Sequence, residues 1–241
     1  MYDLTKFTQA EATECGNALR GMGGGAGNME TAANKIVQHL YTNLVDPQTR
    51  DKACALVRFV KTHPYGQLSS GLQEFASGIL GSAPESPDMK CLTMMATAGE
   101  HADWNSPTTS NGHRAIPLAS ADFVGQIPMV AQLISQFGID MASVISPDPN
   151  VIGDLARKTF NTFHIADAVG SPYIPAQDDF VIPYGVKSVL GFGSVLSSGD
   201  LIVVIMFSKV SIPVATASSF RELSVNVKEA IEPFVGGAVF A

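Results

Sequence analysis

The stretch Val186–Lys209, VKSVLGFGSVLSSGDLIVVIMFSK, limits the possible folds more than any other part of the chain. Two apolar runs rich in β-branched residues flank Ser197-Ser198-Gly199-Asp200, a turn-forming cluster, so the stretch reads as a β-hairpin. Its second arm, Leu201–Phe207, is apolar at every position. Successive side chains of a strand point to opposite faces, so an arm of this kind has to be covered on both sides. The chain must therefore build a sheet between two layers. After the hairpin, Leu223, Val227, Ala230, Ile231 and Phe234 form an apolar stripe at helical spacing. Ser219-x-x-Glu222 ahead of it has the capping-box pattern, and together they predict a terminal helix over 219–234.

Upstream, Met29, Ala33, Ile36, Val37, Leu40 and Leu44 recur at helical spacing, with Asn28 as N-cap and Asp46-Pro47 closing the segment. A shorter stripe, Phe7, Cys15, Leu19 and Met22, predicts a first helix that ends in the glycine-rich segment Gly21–Gly27. These features divide the chain into an N-terminal helix with a hinge, residues 1–27, and a main domain, residues 28–241. Ala53–Lys61 and Lys90–Ala98 read as strands, with a short helix over Leu72, Phe75, Ala76 and Ile79 between them. Gly99–Arg114 reads as a long polar loop, and Ile116–Leu118 as a short edge strand around Pro117. Phe123–Phe137 is helical in pattern, kinked or restarted at Pro128. The proline-rich segment Ile139–Pro183 is too long for a plain loop and predicts a helix near Val151–Phe163. Strand pairs joined by short connections, with helices at both ends, favour an α+β fold: an antiparallel sheet with N- and C-terminal helices packed on it and a long insertion before the last hairpin.

Composition excludes several function classes. A net charge of −7, with no local run of Lys or Arg, argues against a nucleic-acid partner. The start MYDLTKFTQAEATEC has no apolar signal core, and Leu201–Phe207 is far short of the ~20 residues a spanning helix needs. A soluble, cytoplasmic chain with no membrane partner is expected. Cys15, Cys54 and Cys91 are odd in number and widely spaced, which is neither a disulfide framework nor a CxxC pair.

Four stretches carry a family likeness: Cys54–Gly66 (CALVRFVKTHPYG), Asp88–Gly99 (DMKCLTMMATAG), Gly170–Ser194 (GSPYIPAQDDFVIPYGVKSVLGFGS) and Ser198–Pro213 (SGDLIVVIMFSKVSIP). In this order they resemble the GAF family of bacterial sensory domains. The likeness is to the GAF-like input region found ahead of PAS, histidine kinase or PP2C-type phosphatase modules. It implies a GAF-like fold, a sensory role and a kinase or phosphatase output module as partner. The chain departs from the ligand-specific members: it has neither the Asn-Lys-x-Phe-type motif of cyclic-nucleotide GAF domains nor a Cys-His dipeptide of the bilin-binding kind.

No catalytic constellation competes with that reading. Gly21-x-Gly23-x-x-Ala26 follows a helix rather than a strand, so it reads as a connector and not as a dinucleotide fingerprint. Ser197-Ser198-Gly199 lacks the GxSxG of a nucleophile elbow. Asp178-Asp179 diverge if extended, and Glu229 with Glu232 suit a solvated helix face. His39, His63, His101, His113 and His164 have no metal-ligand spacing. Axial ligation of haem needs just one histidine, so His101 and His113 leave that open and the cofactor unknown. Cys54 and Cys91 fall in core strands, where cysteine is ordinarily a small hydrophobe. The GAF fold also includes the free methionine-sulfoxide reductases, but the cysteine separations do not reproduce a grouped thiol site.

In a GAF-like fold the pocket lies between the sheet and its long crossing segments. Trp104, Tyr173, Phe180 and Tyr184 are expected as aromatic walls there, with His113 and Arg114 as polar anchors for a small-molecule ligand. The first helix is too short to be stable alone, so its stripe needs a partner surface. A homodimer held by the terminal helices would supply one, and a ligand-free dimerisation module is a further reading.

Overall fold

The computed structural model describes residues 1–110 and 112–241. A short strand, β1 (Tyr2–Asp3), leads into helix α1 (Gln9–Arg20), where Thr8 and Glu11 form a reciprocal capping box. Helix α2 (Met29–Asn43) starts where its N-cap predicts, with Asn28 Oδ1 accepting from the Thr31 amide at 2.8 Å. Strand β2 (Leu44–Val45) then pairs parallel with β1. Next come β3 (Cys54–Pro64), α3 (Ser70–Leu80), β4 (Lys90–Gly99) and β5 (Ala115–Pro117). Four helices follow: α4 (Ala121–Gly125), α5 (Pro128–Phe137), α6 (Met141–Ile145) and α7 (Ile152–Arg157). The chain closes with β6 (Phe163–Ile165), β7 (Ser188–Val195), β8 (Leu201–Ser208) and α8 (Val214–Ile231). No helix among the described residues is long and apolar enough to cross a membrane.

The main sheet has six strands in the order β5-β4-β3-β8-β7-β6, each pair antiparallel. The fold is α+β, as the sequence predicts. Alternation along β8 explains its unbroken apolar run. Ile202, Val204 and Met206 enter a core shared with α1, α2 and α8. Leu201, Val203, Ile205 and Phe207 enter a second core on the opposite face, under α5 and the segment that crosses from β6 to β7.

Two sequence expectations need correction. The terminal helix begins at Val214, five residues ahead of the expected start, because Pro213 occupies its N-cap. Ser219 is inside the helix, donating to the Ala215 carbonyl at 3.3 Å, so the Ser219/Glu222 pattern caps nothing. The insertion helix stops at Arg157 rather than reaching Phe163, which instead opens the edge strand β6. At Pro128 the structure takes the second of the two expected alternatives: a helix starts anew there, with the missing N–H at a position where it costs nothing.

The N-terminal region shows a different arrangement from a helix on a free hinge. Phe7, Cys15 and Leu19 are buried against α8 of the same chain, where Phe7 stacks on Phe220 at 4.5 Å between ring centroids. The stripe finds its partner surface within the chain and so supplies no argument for a dimer. Gly23 is one reason the segment is glycine-rich: a Cβ there would sit 2.3 Å from the Ala230 carbonyl oxygen of α8. Gly21, by contrast, faces open space with φ of −71°. Gly23→Ala is expected to lower unfolding stability by about 1–3 kcal/mol through overpacking. Gly21→Ala should be neutral or stabilising by about 0.4–1 kcal/mol, since it removes unfolded-state freedom without a clash. Urea titration of both variants checks the contrast.

Candidate functional site

A cavity of about 460 Å³ opens on the face of the sheet opposite α2 and α8. Its floor is made by alternate residues of the central strands: Leu56, Arg58 and Val60 from β3, and Ile205 and Phe207 from β8. Pro128, Val130 and Leu133 of α5 make one wall. The other is aromatic. Trp104 lies 4.5 Å from Tyr184 and 5.4 Å from Phe180 between ring centroids, and Phe180 meets the floor edge-on at Phe207, 5.1 Å away.

Two local devices set these rings. Trp104 can approach the end of β4 closely because Gly99 is there: a Cβ on Gly99 would be 2.9 Å from the indole. Phe180 sits in a single π-helical turn, Gln177–Val181, within the crossing segment. The Gln177 side chain ties that turn down, donating to the Ala168 and Ile174 carbonyls at 3.0 and 2.8 Å and accepting from the Gly170 amide at 2.8 Å.

The structure brings four of the six expected residues together. Trp104, His113, Phe180 and Tyr184 all line the cavity. Arg114 and Tyr173 do not: Arg114 is outside the lining, and Tyr173 lies in a separate open cleft with Gln136, His164 and Ser171. Arg114 follows His113 directly, but His113 takes a left-handed backbone, φ 58°, so the chain bends between the two side chains before β5 begins. Tyr173 precedes the turn that carries Phe180 inward and stays on the outer side of the crossing segment.

Sequence reasoning missed Arg58. It is the one charged residue within the apolar run ACALVRFV, and that interruption was the available signal. Its guanidinium donates to Ser110 Oγ at 3.0 Å, while its buried Nε has no partner among the described residues. Burial pulls its pKa down to about 10, which leaves it charged at neutral pH. Directly across the β3–β4 pair lies Thr97, whose buried hydroxyl also has no partner among the described residues.

A second buried polar group went unread because it was assigned to a turn. Asp200, on the opposite face of the sheet's end, receives Lys61 Nζ and Lys90 Nζ, each at 2.7 Å, and Ser198 Oγ at 2.8 Å. Burial alone would raise the pKa of Asp200, but the two ammonium groups more than offset it and hold the carboxyl below its ordinary value. Lys61 is 3% exposed and also contacts His63 Nδ1 at 3.2 Å. Burial first, then the neighbouring lysine charge, pushes His63 down to about 4. The residues of this cluster line neither the cavity over β3 and β8 nor the cleft at Tyr173. It joins β3, β4 and β8 at one end and is structural.

The thiols are inert by the same physics. Cys15, Cys54 and Cys91 are fully buried, and desolvation raises each to about 12. Among the described residues no group of three or more His, Cys, Asp or Glu side chains is arranged to hold a metal ion. His101 and His113 both reach the cavity rim.

No protein-family model matches the chain, and no curated protein does. Among solved structures, the GAF domain of a phosphoenolpyruvate-protein phosphotransferase from Coxiella burnetii is similar across 94% of each chain, at 12% identity and a TM-score of 0.42. At that distance no site residue is carried across.

The ion cluster predicts how stability depends on pH. The folded chain protonates His63 near pH 4, and an unfolded chain near 6.5, so acidification through that window favours unfolding. Stability is full above about pH 6.5 and falls towards 4; the depressed Asp200 carboxyl adds a further loss below its ordinary pKa of 3.8. His63→Asn, which keeps an acceptor for Lys61, should flatten the fall between pH 6.5 and 4 measured by urea midpoints. It should not abolish the fall, since His39 and His164 are also held down by burial. Asp200→Asn leaves two lysines without their counter-charge and should cost about 3–5 kcal/mol at pH 7.

Proposed function

We propose that this chain is a non-enzymatic sensory domain of GAF type, and that it binds a small, largely apolar molecule in the cavity over β3 and β8. The observation that carries the reading is the cavity itself. A volume of about 460 Å³ walled by aliphatic and aromatic side chains, with few polar groups, has the size and chemistry of a small-molecule site. The GAF-like sequence stretches supply the sensory half of the reading, and all four contribute residues to the lining, Asp88–Gly99 through Leu92. An output module of kinase or phosphatase type is the partner that this family likeness implies.

The floor strands also support signalling. Their other faces hold Val57, Phe59, Ile202 and Val204 against α2 and α8. A ligand that shifts β3 or β8 therefore acts on the packing of the terminal helices. It reports only to the extent that its affinity differs between two placements of those helices.

Trp104 is the sole tryptophan, so intrinsic fluorescence reads the cavity directly. The neutral dye N-phenyl-1-naphthylamine should bind saturably, with enhanced dye emission and energy transfer from Trp104. Phe180→Ala should weaken it about tenfold, or ~1.4 kcal/mol. Absence of saturable binding would sink the ligand reading and favour a dimerisation module.

The thiols provide an independent check on the non-enzymatic half. Native protein should label with a thiol reagent at least about a hundredfold more slowly than unfolded protein, given how little thiolate is present. Fast labelling with turnover of free methionine sulfoxide would replace the sensor with a reductase.

A further inference from the structure

The cavity has an uncompensated charge at its floor. Arg58 and Lys61 sit three residues apart on β3, on opposite faces, and they are treated differently. Lys61 has Asp200 at 2.7 Å. None of the ion pairs among the described residues includes Arg58. Residue 111, the one position outside the description, is an asparagine and carries no charge to offer. The two carboxylates that line the cavity, Asp103 and Asp179, are both exposed at its rim. Arg58 thus presents a guanidinium with a single described hydrogen bond, to Ser110, at the bottom of an otherwise apolar space.

We propose that the cavity takes organic monocarboxylates: molecules with an apolar or aromatic body that fills the space under Trp104 and Phe180, and one carboxylate received by Arg58. The inference rests on the cavity being a ligand site and adds the class of ligand. A buried charge without a counter-ion is costly, and a guanidinium fork matches a carboxylate in geometry as well as in sign. Thr97, across the strand pair from Arg58, is fully buried and does not line the cavity, so the guanidinium is the group that receives the carboxylate. One unpaired positive charge suits one negative charge. A phosphate monoester would bring about two, into a site whose remaining lining is mostly apolar and whose rim carries Asp103 and Asp179. The body of the ligand is bounded by the volume of about 460 Å³, which admits a fused two-ring system.

The test uses two isosteric probes, 2-naphthoate and 2-naphthamide, titrated calorimetrically into the full chain at pH 7.5. The wild type should bind the carboxylate about tenfold or more tightly than the amide, the range of a charge-assisted hydrogen-bond pair. Arg58→Met should erase that preference by weakening naphthoate while leaving naphthamide within about threefold. Arg58→Lys, which keeps the charge but loses the planar fork, should weaken naphthoate by about threefold and serves as the second variant if Arg58→Met does not fold. Equal binding of the two probes by the wild type, or a naphthoate preference that survives Arg58→Met, overturns the inference. If N-phenyl-1-naphthylamine still binds in that case, the cavity reading stands without it. If neither probe nor the dye binds, both fall. Stronger binding of 2-naphthyl phosphate than of 2-naphthoate would also overturn it.

Discussion

A central strand with no solvent face governs this structure. β8 lies between β3 and β7, and every one of its residues is buried. Alternate side chains must therefore satisfy two unlike layers at once: a tight helical core on one face and a looser, cavity-bearing core on the other. A slip of one residue would exchange the two sets completely. Asp200 guards against that slip. It immediately precedes β8 and is fixed by lysines from β3 and β4, so a register shift would drag a carboxylate away from two buried ammonium groups. The turn that starts the strand is thus tied electrostatically to the two strands beside it.

The same physics decides which parts of the fold were legible in the sequence. The hairpin, α2 with its Asn28 cap, and β3 and β4 all announce themselves through period, composition and turn chemistry, which are local properties. The start of α8 was misread because two local signals disagreed. Ser219/Glu222 has a capping pattern, but the helix begins earlier, with Pro213 at its N-cap and Ser219 already bonded to Ala215 inside it. The docking of α1 depends on contacts between residues about two hundred apart, Phe7 with Phe220 and Gly23 with Ala230, and no local signal reports them.

The cavity was half legible for a related reason. Aromatic residues on a long crossing segment mark a wall, and Trp104, Phe180 and Tyr184 form one. Which face each neighbour takes is a matter of backbone direction, which is why Tyr173 and Arg114 separate from the group. Charged residues inside apolar strands carried more information than they were credited with. Arg58 and Lys61 both break an apolar run, and each turned out to be the polar feature of its face.

On the proposed sensory reading, those two residues also suit β3 to transmitting an event in the cavity. On the helical face its charge is neutralised within the chain, by Asp200, and that end of the strand is held in one arrangement. On the cavity face its charge is left to be neutralised from outside. A carboxylate arriving at Arg58 removes the cost of an unpaired buried cation only while it is bound, so it stabilises whichever arrangement of β3 presents the guanidinium best. The gain grows as RT ln(1 + [L]/Kd) and is available to any equilibrium that moves the strand. Because Val57 and Phe59 flank Arg58 and pack into the helical core, an adjustment of the strand around the guanidinium is felt there first. On the proposed reading, an internally fixed charge at one end and an externally satisfied one three residues away would make β3 a lever with a fixed pivot, and the helical core would be the layer that the lever moves.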